Sequence, residues 1–131
     1  MNRLVCQYHQ GLVQAKEFLL FSPKVLQVTK KNKRFKLGQH DLLQPFKESF
    51  NIVRAMNVLN SCYFTEAEFE KVINYLYSGL KSNGILITGS NQGVGTLVHG
   101  SIYQKFENGF KKLFQSGNGS PIEDLILSFQ S

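Results

Sequence analysis

The chain has 131 residues, 42% of them hydrophobic and 18% charged, with 3 Pro, 11 Gly, 2 Cys and a formal net charge of +6. That balance describes a globular chain with a core to bury, and it excludes disordered, low-complexity and disulfide-scaffold classes. No window approaches the length of a membrane span and the polar start lacks the apolar core of a secretory signal. One domain over 1–131, no membrane contact and a cytoplasmic location are therefore expected.

In chain order, Leu4, Val5, Tyr8, Leu12, Val13 and Ala15 recur at spacings near three and four and predict an amphipathic helix over 2–16, interrupted at Gly11. The apolar run 17–21 suits a short buried strand. Ser22 then caps a helix that Pro23 can open and that holds Val25, Leu26 and Val28. Residues 34–43 alternate imperfectly, with Phe35, Leu37 and Gln39 on one face, and predict a strand ending before Gln44-Pro45. A further strand covers 51–56.

The next helix is the most clearly announced element. Thr65 and Glu68 have capping-box spacing, and Phe69, Val72, Ile73, Leu76 and Leu80 follow on one stripe. It should stop at Lys81-Ser82-Asn83-Gly84, where Asn and Gly tolerate the left-handed conformation, before the buried strand Ile85-Leu86-Ile87-Thr88. Strand, helix crossover and strand over 50–90 make an α/β sheet the expected architecture, with any ligand at the carboxyl ends of the strands, beside Arg54, Met56 and Asn57. Farther on, 101–106 and 110–115 flank Glu107-Asn108-Gly109 and predict a hairpin built on Asn-Gly at positive φ. The run 122–129 leans to β, so an antiparallel edge should close an otherwise parallel sheet.

Cys6 and Cys62 are too few and too far apart for a metal motif or a disulfide framework, and read as reduced and structural. His9, His40 and His99 show no metal-ligand spacing, so no metal site is expected. The positive excess is concentrated at Lys30, Lys31, Lys33, Arg34 and Lys36, with a lesser pair at Lys111 and Lys112. Such a run can bind phosphate backbones, with Phe35 available to stack on a base, but the stronger reading is that lysines at a helix end suit the negative end of its dipole and stay solvated.

Three blocks carry a family resemblance: Gln-His-Asp-Leu-Leu-Gln-Pro-Phe at 39–46, Phe-Asn-Ile-Val-Arg-Ala-Met-Asn-Val-Leu-Asn at 50–60, and Leu-Lys-Ser-Asn-Gly-Ile-Leu-Ile at 80–87. Taken in this order and spacing they resemble consecutive blocks of class I S-adenosylmethionine-dependent methyltransferases, over residues 17–129. A second similarity, through 54–64, is to the chemotaxis-receptor methyltransferases. The resemblance implies that Asp41 and Leu42 meet the cofactor's adenine, and that Asn57, with Arg54 and Met56 beside it, lies near its methionine part. No residue is singled out as catalytic.

The departures are specific. The family's Gly-x-Gly turn after its first strand has no counterpart, and that strand, normally central, is missing. Where the family places the acid that holds the ribose hydroxyls, Leu20 stands, which cannot accept a hydrogen bond. Gly93-Val94-Gly95 follows a strand but reads as a flexible loop. The implied fold is an incomplete Rossmann-like methyltransferase sheet, mostly parallel, with an antiparallel C-terminal hairpin edge.

Three functions follow. The first is a truncated or degenerate methyltransferase-like domain, not catalytic alone, that acts through self-association or a partner chain covering its exposed sheet edges. The second is part of an active split or longer methyltransferase, with Arg54 or Asn57 orienting an acceptor that the sequence leaves unspecified. The third is a basic nucleic-acid-binding module. Arg54, inside an apolar strand, should be buried and paired with Glu66, Glu68 or Asp41, or with a ligand anion.

Overall fold

The computed structural model describes residues 22–91 and 97–131. The helix expected over 2–16, the strand over 17–21, Cys6, His9 and the Gly93-Val94-Gly95 loop lie outside the described residues. The chain divides into two compact units, Met1–His40 and Asp41–Ser131.

In the first unit, α1 (Pro23–Lys31) forms where expected. The Ser22 hydroxyl accepts the Val25 N–H at 3.4 Å, Pro23 opens the helix, and Lys30 and Lys31 occupy its last turn. The strand expected over 34–43 does not form. Asn32 Oδ1 takes the Arg34 N–H at 3.0 Å, and Asp41 Oδ1 takes the Leu43 N–H at 2.9 Å. These local bonds offer the backbone a turn in place of a ladder, and the segment's weak alternation gave it no apolar face with which to resist.

The second unit contains β1 (Phe50–Met56), α2 (Glu66–Gly79), β2 (Leu80–Ser90), β3 (His99–Phe106), β4 (Gly109–Ser116) and α3 (Glu123–Ser128). It is a mixed α/β fold around a four-stranded sheet in the order β1-β2-β3-β4. β1 and β2 are parallel, joined through α2, whereas β2–β3 and β3–β4 are antiparallel. The antiparallel C-terminal hairpin edge is present. The mostly parallel sheet is not, because only one pair has a helical crossover and the rest are joined by connections that reverse the chain.

Local signals explain each element. The Thr65 hydroxyl accepts the Glu68 N–H while the Glu68 carboxylate accepts the Thr65 N–H at 2.8 Å, which completes the capping box of α2. These bonds from Thr65 hold the Glu68 carboxyl below its ordinary range. α2 ends at Gly79, earlier than expected. β1 pairs Phe50 with Leu80 and then Ile52 with Ile85, so residues 81–84 fall out of register, and Asn83 takes φ 60°. In the hairpin the two connecting residues are Glu107 and Asn108, since Phe106 pairs with Gly109, and neither Asn108 nor Gly109 has positive φ. The turn is one residue earlier than an Asn-Gly turn would be.

The run expected as a final strand is helical as α3. Ile122 and Ile126 are buried and Phe129 packs against the core, an i, i+4, i+7 stripe that a helix places on one side. Apolar neighbours at Leu125 and Leu127 masked that period. The core lies on one face of the sheet: Phe69, Val72, Ile73, Leu76 and Tyr77 of α2 join Ala55, Leu86, Tyr103, Phe110 and Ile126.

Within the second unit the opposite face has no helix. It carries Ile52, Arg54 and Met56 from β1, Ile85 and Ile87 from β2, Ile102 from β3 and Phe114 from β4, the residues that alternate with the core-facing set. Ile52 is 61% and Phe114 60% exposed.

Candidate functional site

The carboxyl ends of β1 and β2 lie side by side, as a parallel pair requires. Asn57 leaves β1 at φ 61°, a left-handed conformation that Asn adopts more readily than most residues. Its N–H donates to the Gly89 carbonyl at 2.9 Å and its Oδ1 accepts the Asn91 N–H at 2.8 Å. The side chain thus laces the two strand ends together.

The other residues singled out in the sequence fall in separate places. Arg54 is exposed on the open sheet face, opposite Ile87. It is not buried, because Val53 and Ala55 take the core-facing positions and leave Arg54 the other side. No ion pair joins it to Glu66, Glu68 or Asp41 among the described residues. Met56 shares that face and lines a shallow apolar depression of about 160 Å³ with Ile87, Gly100, Ile102 and Phe114. Asp41 spends one carboxylate oxygen on Leu43, and Leu42 packs against the core. Arg54, Met56 and Asn57 are therefore neighbours at one strand end, while Asp41 and Leu42 belong to the connection before β1. Cys62 is an exposed free thiol, and no group of three or more His, Cys, Asp or Glu is gathered among the described residues.

Beneath β2 and β3 is a polar cluster. Ser101 donates to Glu123 Oε2 at 2.6 Å, the Tyr103 hydroxyl reaches the same oxygen at 3.3 Å, and Lys112 pairs with Glu123 Oε1 at 2.7 Å. Thr88 donates to the Ser120 hydroxyl at 2.7 Å, and the Ser120 N–H donates to Ser101 Oγ at 3.2 Å. Ser90 Oγ is buried without a partner among the described residues. The hydrogen bond from Lys112, then that from Ser101, holds the Glu123 carboxyl below its ordinary range, while burial pushes the Tyr103 phenol up. A carboxylate so stabilised is a weak base near neutral pH, and the cluster acts as a clamp that ties α3 to the hairpin. Sequence analysis missed it. Alternating Thr88-Ser90 and Ser101-Tyr103 mark a polar stripe on two strands, but nothing local joins them to Glu123.

This clamp gives a pH dependence with a definite sign. A carboxyl whose folded value is depressed contributes stability that is present above the ordinary carboxylate range and is lost as pH falls through the lowered value. Acid unfolding followed by circular dichroism should be steeper for the native chain than for Glu123→Gln. Parallel profiles for the two would show that the clamp contributes nothing.

A cleft of about 650 Å³ sits at the other end of the sheet, lined by Tyr77, Ser82, Asn83, Lys105, Phe106 and Glu107. Its one ammonium is already engaged, since Lys105 Nζ donates to the Tyr77 and Leu80 carbonyls at 2.7 Å each. It closes the carboxyl end of α2, where carbonyls lack helical partners.

No helix among the described residues is long and apolar enough to cross a membrane. Comparison with family models, with curated proteins and with solved structures finds no match.

Proposed function

We propose that residues 41–131 form a methyltransferase-like scaffold that does not carry out methyl transfer alone and works as an assembly module, associating with a second copy of itself. The observation that carries this reading is the open sheet face. Parallel strands are normally buried on both faces, and here the parallel pair β1–β2, with β3 and β4 beside it, presents Ile52, Met56, Ile85, Ile87, Ile102 and Phe114 on a face that no helix of residues 41–131 covers.

The two sheet edges differ in the same sense. β4 is blunted by adjacent Lys111 and Lys112 and by an irregularity that leaves Leu113 unpaired, whereas β1 has Arg54 as its only charge. Pairing β1 with β1 of a second copy would continue the sheet and align two apolar faces. The cofactor reading draws less support, since Asn57 spends its Oδ1, and Asp41 one of its two carboxylate oxygens, on backbone N–H groups.

Sedimentation velocity at micromolar concentration should show a dimer for the native chain and a monomer for Ile52→Lys, with the thermal transition of the monomer retained. A native chain that stays monomeric overturns the reading. Calorimetric titration with S-adenosylmethionine is the second arm. Saturable heat from the isolated chain would assign it to the active methyltransferases instead, with S-adenosylmethionine as cofactor.

A further inference from the structure

Between residues 22 and 40 stand Lys24, Lys30, Lys31, Lys33, Arg34 and Lys36, with no Asp or Glu; the other nine Lys and Arg of the chain are matched by its nine acids. The whole net charge of +6 therefore belongs to one short stretch, and all six of these cations are exposed. A helix dipole accounts for Lys30 and Lys31 in the last turn of α1. It does not account for Lys24, which stands at the positive end of a helix with no acid in its first turn, nor for the three cations past the helix end.

The turn after α1 organises the rest. Asn32 accepts the Arg34 N–H on its side chain and the Phe35 N–H on its carbonyl, both at 3.0 Å. This sets Phe35 directly beyond the helix, flanked by Arg34 and Lys36, with its side chain 41% exposed. An aromatic ring among cations offers a stacking surface beside charges that can follow a phosphate backbone. A lipid surface is the poorer fit. Val25 and Leu26 are half-buried, which leaves Val28 and Phe35 as the exposed large apolar side chains of the stretch, too little apolar area for an interfacial helix.

We infer that residues 22–40 are a binding site for single-stranded nucleic acid, in which the six cations neutralise phosphates and Phe35 stacks on a base. The site is independent of the assembly role given to residues 41–131.

Fluorescence anisotropy with labelled oligo(dT) and oligo(U), between about 50 and 200 mM salt, tests it. Neutralising six phosphates of a single strand predicts that log K falls against log salt with a slope of about −4, and the triple variant K30Q/K31Q/K33Q should bring the slope to about −2. Phe35→Ala should weaken binding roughly tenfold at unchanged slope. Preference for one of the two oligonucleotides supports the inference and names the strand used. The inference is overturned by a slope near zero, by equal losses on neutralising Lys47, Lys71 and Lys81, by a Phe35→Ala variant that binds as the native chain does, or by stronger binding to phosphatidylcholine–phosphatidylserine vesicles than to either oligonucleotide. Circular dichroism of each variant confirms that these exposed substitutions leave the fold intact.

Discussion

Tyr77→Ala should lower the stability of the chain by about 3–5 kcal/mol in urea unfolding, the range for removing a large buried aromatic side chain. Tyr77 is where α2, the hairpin and the C-terminal residues meet. Its ring packs edge-on against Phe110 at 5.5 Å and tilted against Phe129 at 5.3 Å, with the Lys105 ammonium 4.2 Å from its centroid. Its hydroxyl donates into the hairpin turn, at 2.7 Å from the Phe106 carbonyl and 2.6 Å from that of Glu107. Alanine opens a cavity between three elements and removes the donor from both carbonyls. Tyr77→Phe keeps the packing and should cost only about 1 kcal/mol, the ordinary net value of one hydrogen bond. Because a domain's whole stability is about 5–15 kcal/mol, the alanine substitution should remove a large share of it. A loss below that of the phenylalanine variant would remove Tyr77 from the core.

Gly89→Ala should cost about 3 kcal/mol or more, at the upper end of overpacking penalties. Gly89 of β2 faces Gly100 of β3 across the antiparallel pair. A Cβ at Gly89 would press on the His99 carbonyl oxygen and come within 2.8 Å of Gly100 Cα, both backbone atoms. Gly100→Ala meets the Thr88 carbonyl at 2.7 Å and should behave alike. Neither neighbour can rotate away, so relief requires β2 and β3 to part where the Thr88–Ser120 and Ser120–Ser101 hydrogen bonds link them. Gly38→Ala is the matched control: nothing lies within 4 Å of its added Cβ, and its effect should stay within about 1 kcal/mol. Thermal unfolding of the three variants side by side separates crowding from the general effect of losing a glycine.

Much of the local structure was legible. The Thr65–Glu68 capping box, the apolar stripe of α2, the Ser22-Pro23 start of α1 and the hairpin around residues 107–109 all form, because each signal acts over a few residues and contains its own hydrogen-bond partners. Where local signals competed, reading failed. Residues 122–129 satisfied both a β-leaning composition and a helical stripe, and the core selected the helix by burying Ile122 and Ile126. Residues 34–43 lost a strand to the side chains of Asn32 and Asp41.

The candidate sites divide in the same way. The basic stretch was visible as composition, and so was the strand end at Arg54, Met56 and Asn57, since a parallel unit fixes where its carboxyl ends meet. The polar clamp was not visible, because Ser101 and Glu123 stand 22 residues apart and meet only after α3 folds back on the hairpin.

By itself, then, the sequence determined the β1–α2–β2 unit, the capping box that opens its helix, and the confinement of the net charge to the stretch around α1. Only the tertiary structure decided the place of the hairpin beside β2 in the sheet, the exposure of Arg54 and the apolar face that it shares. A period of two says that a strand has two faces, but which of them is covered depends on segments far away in the chain.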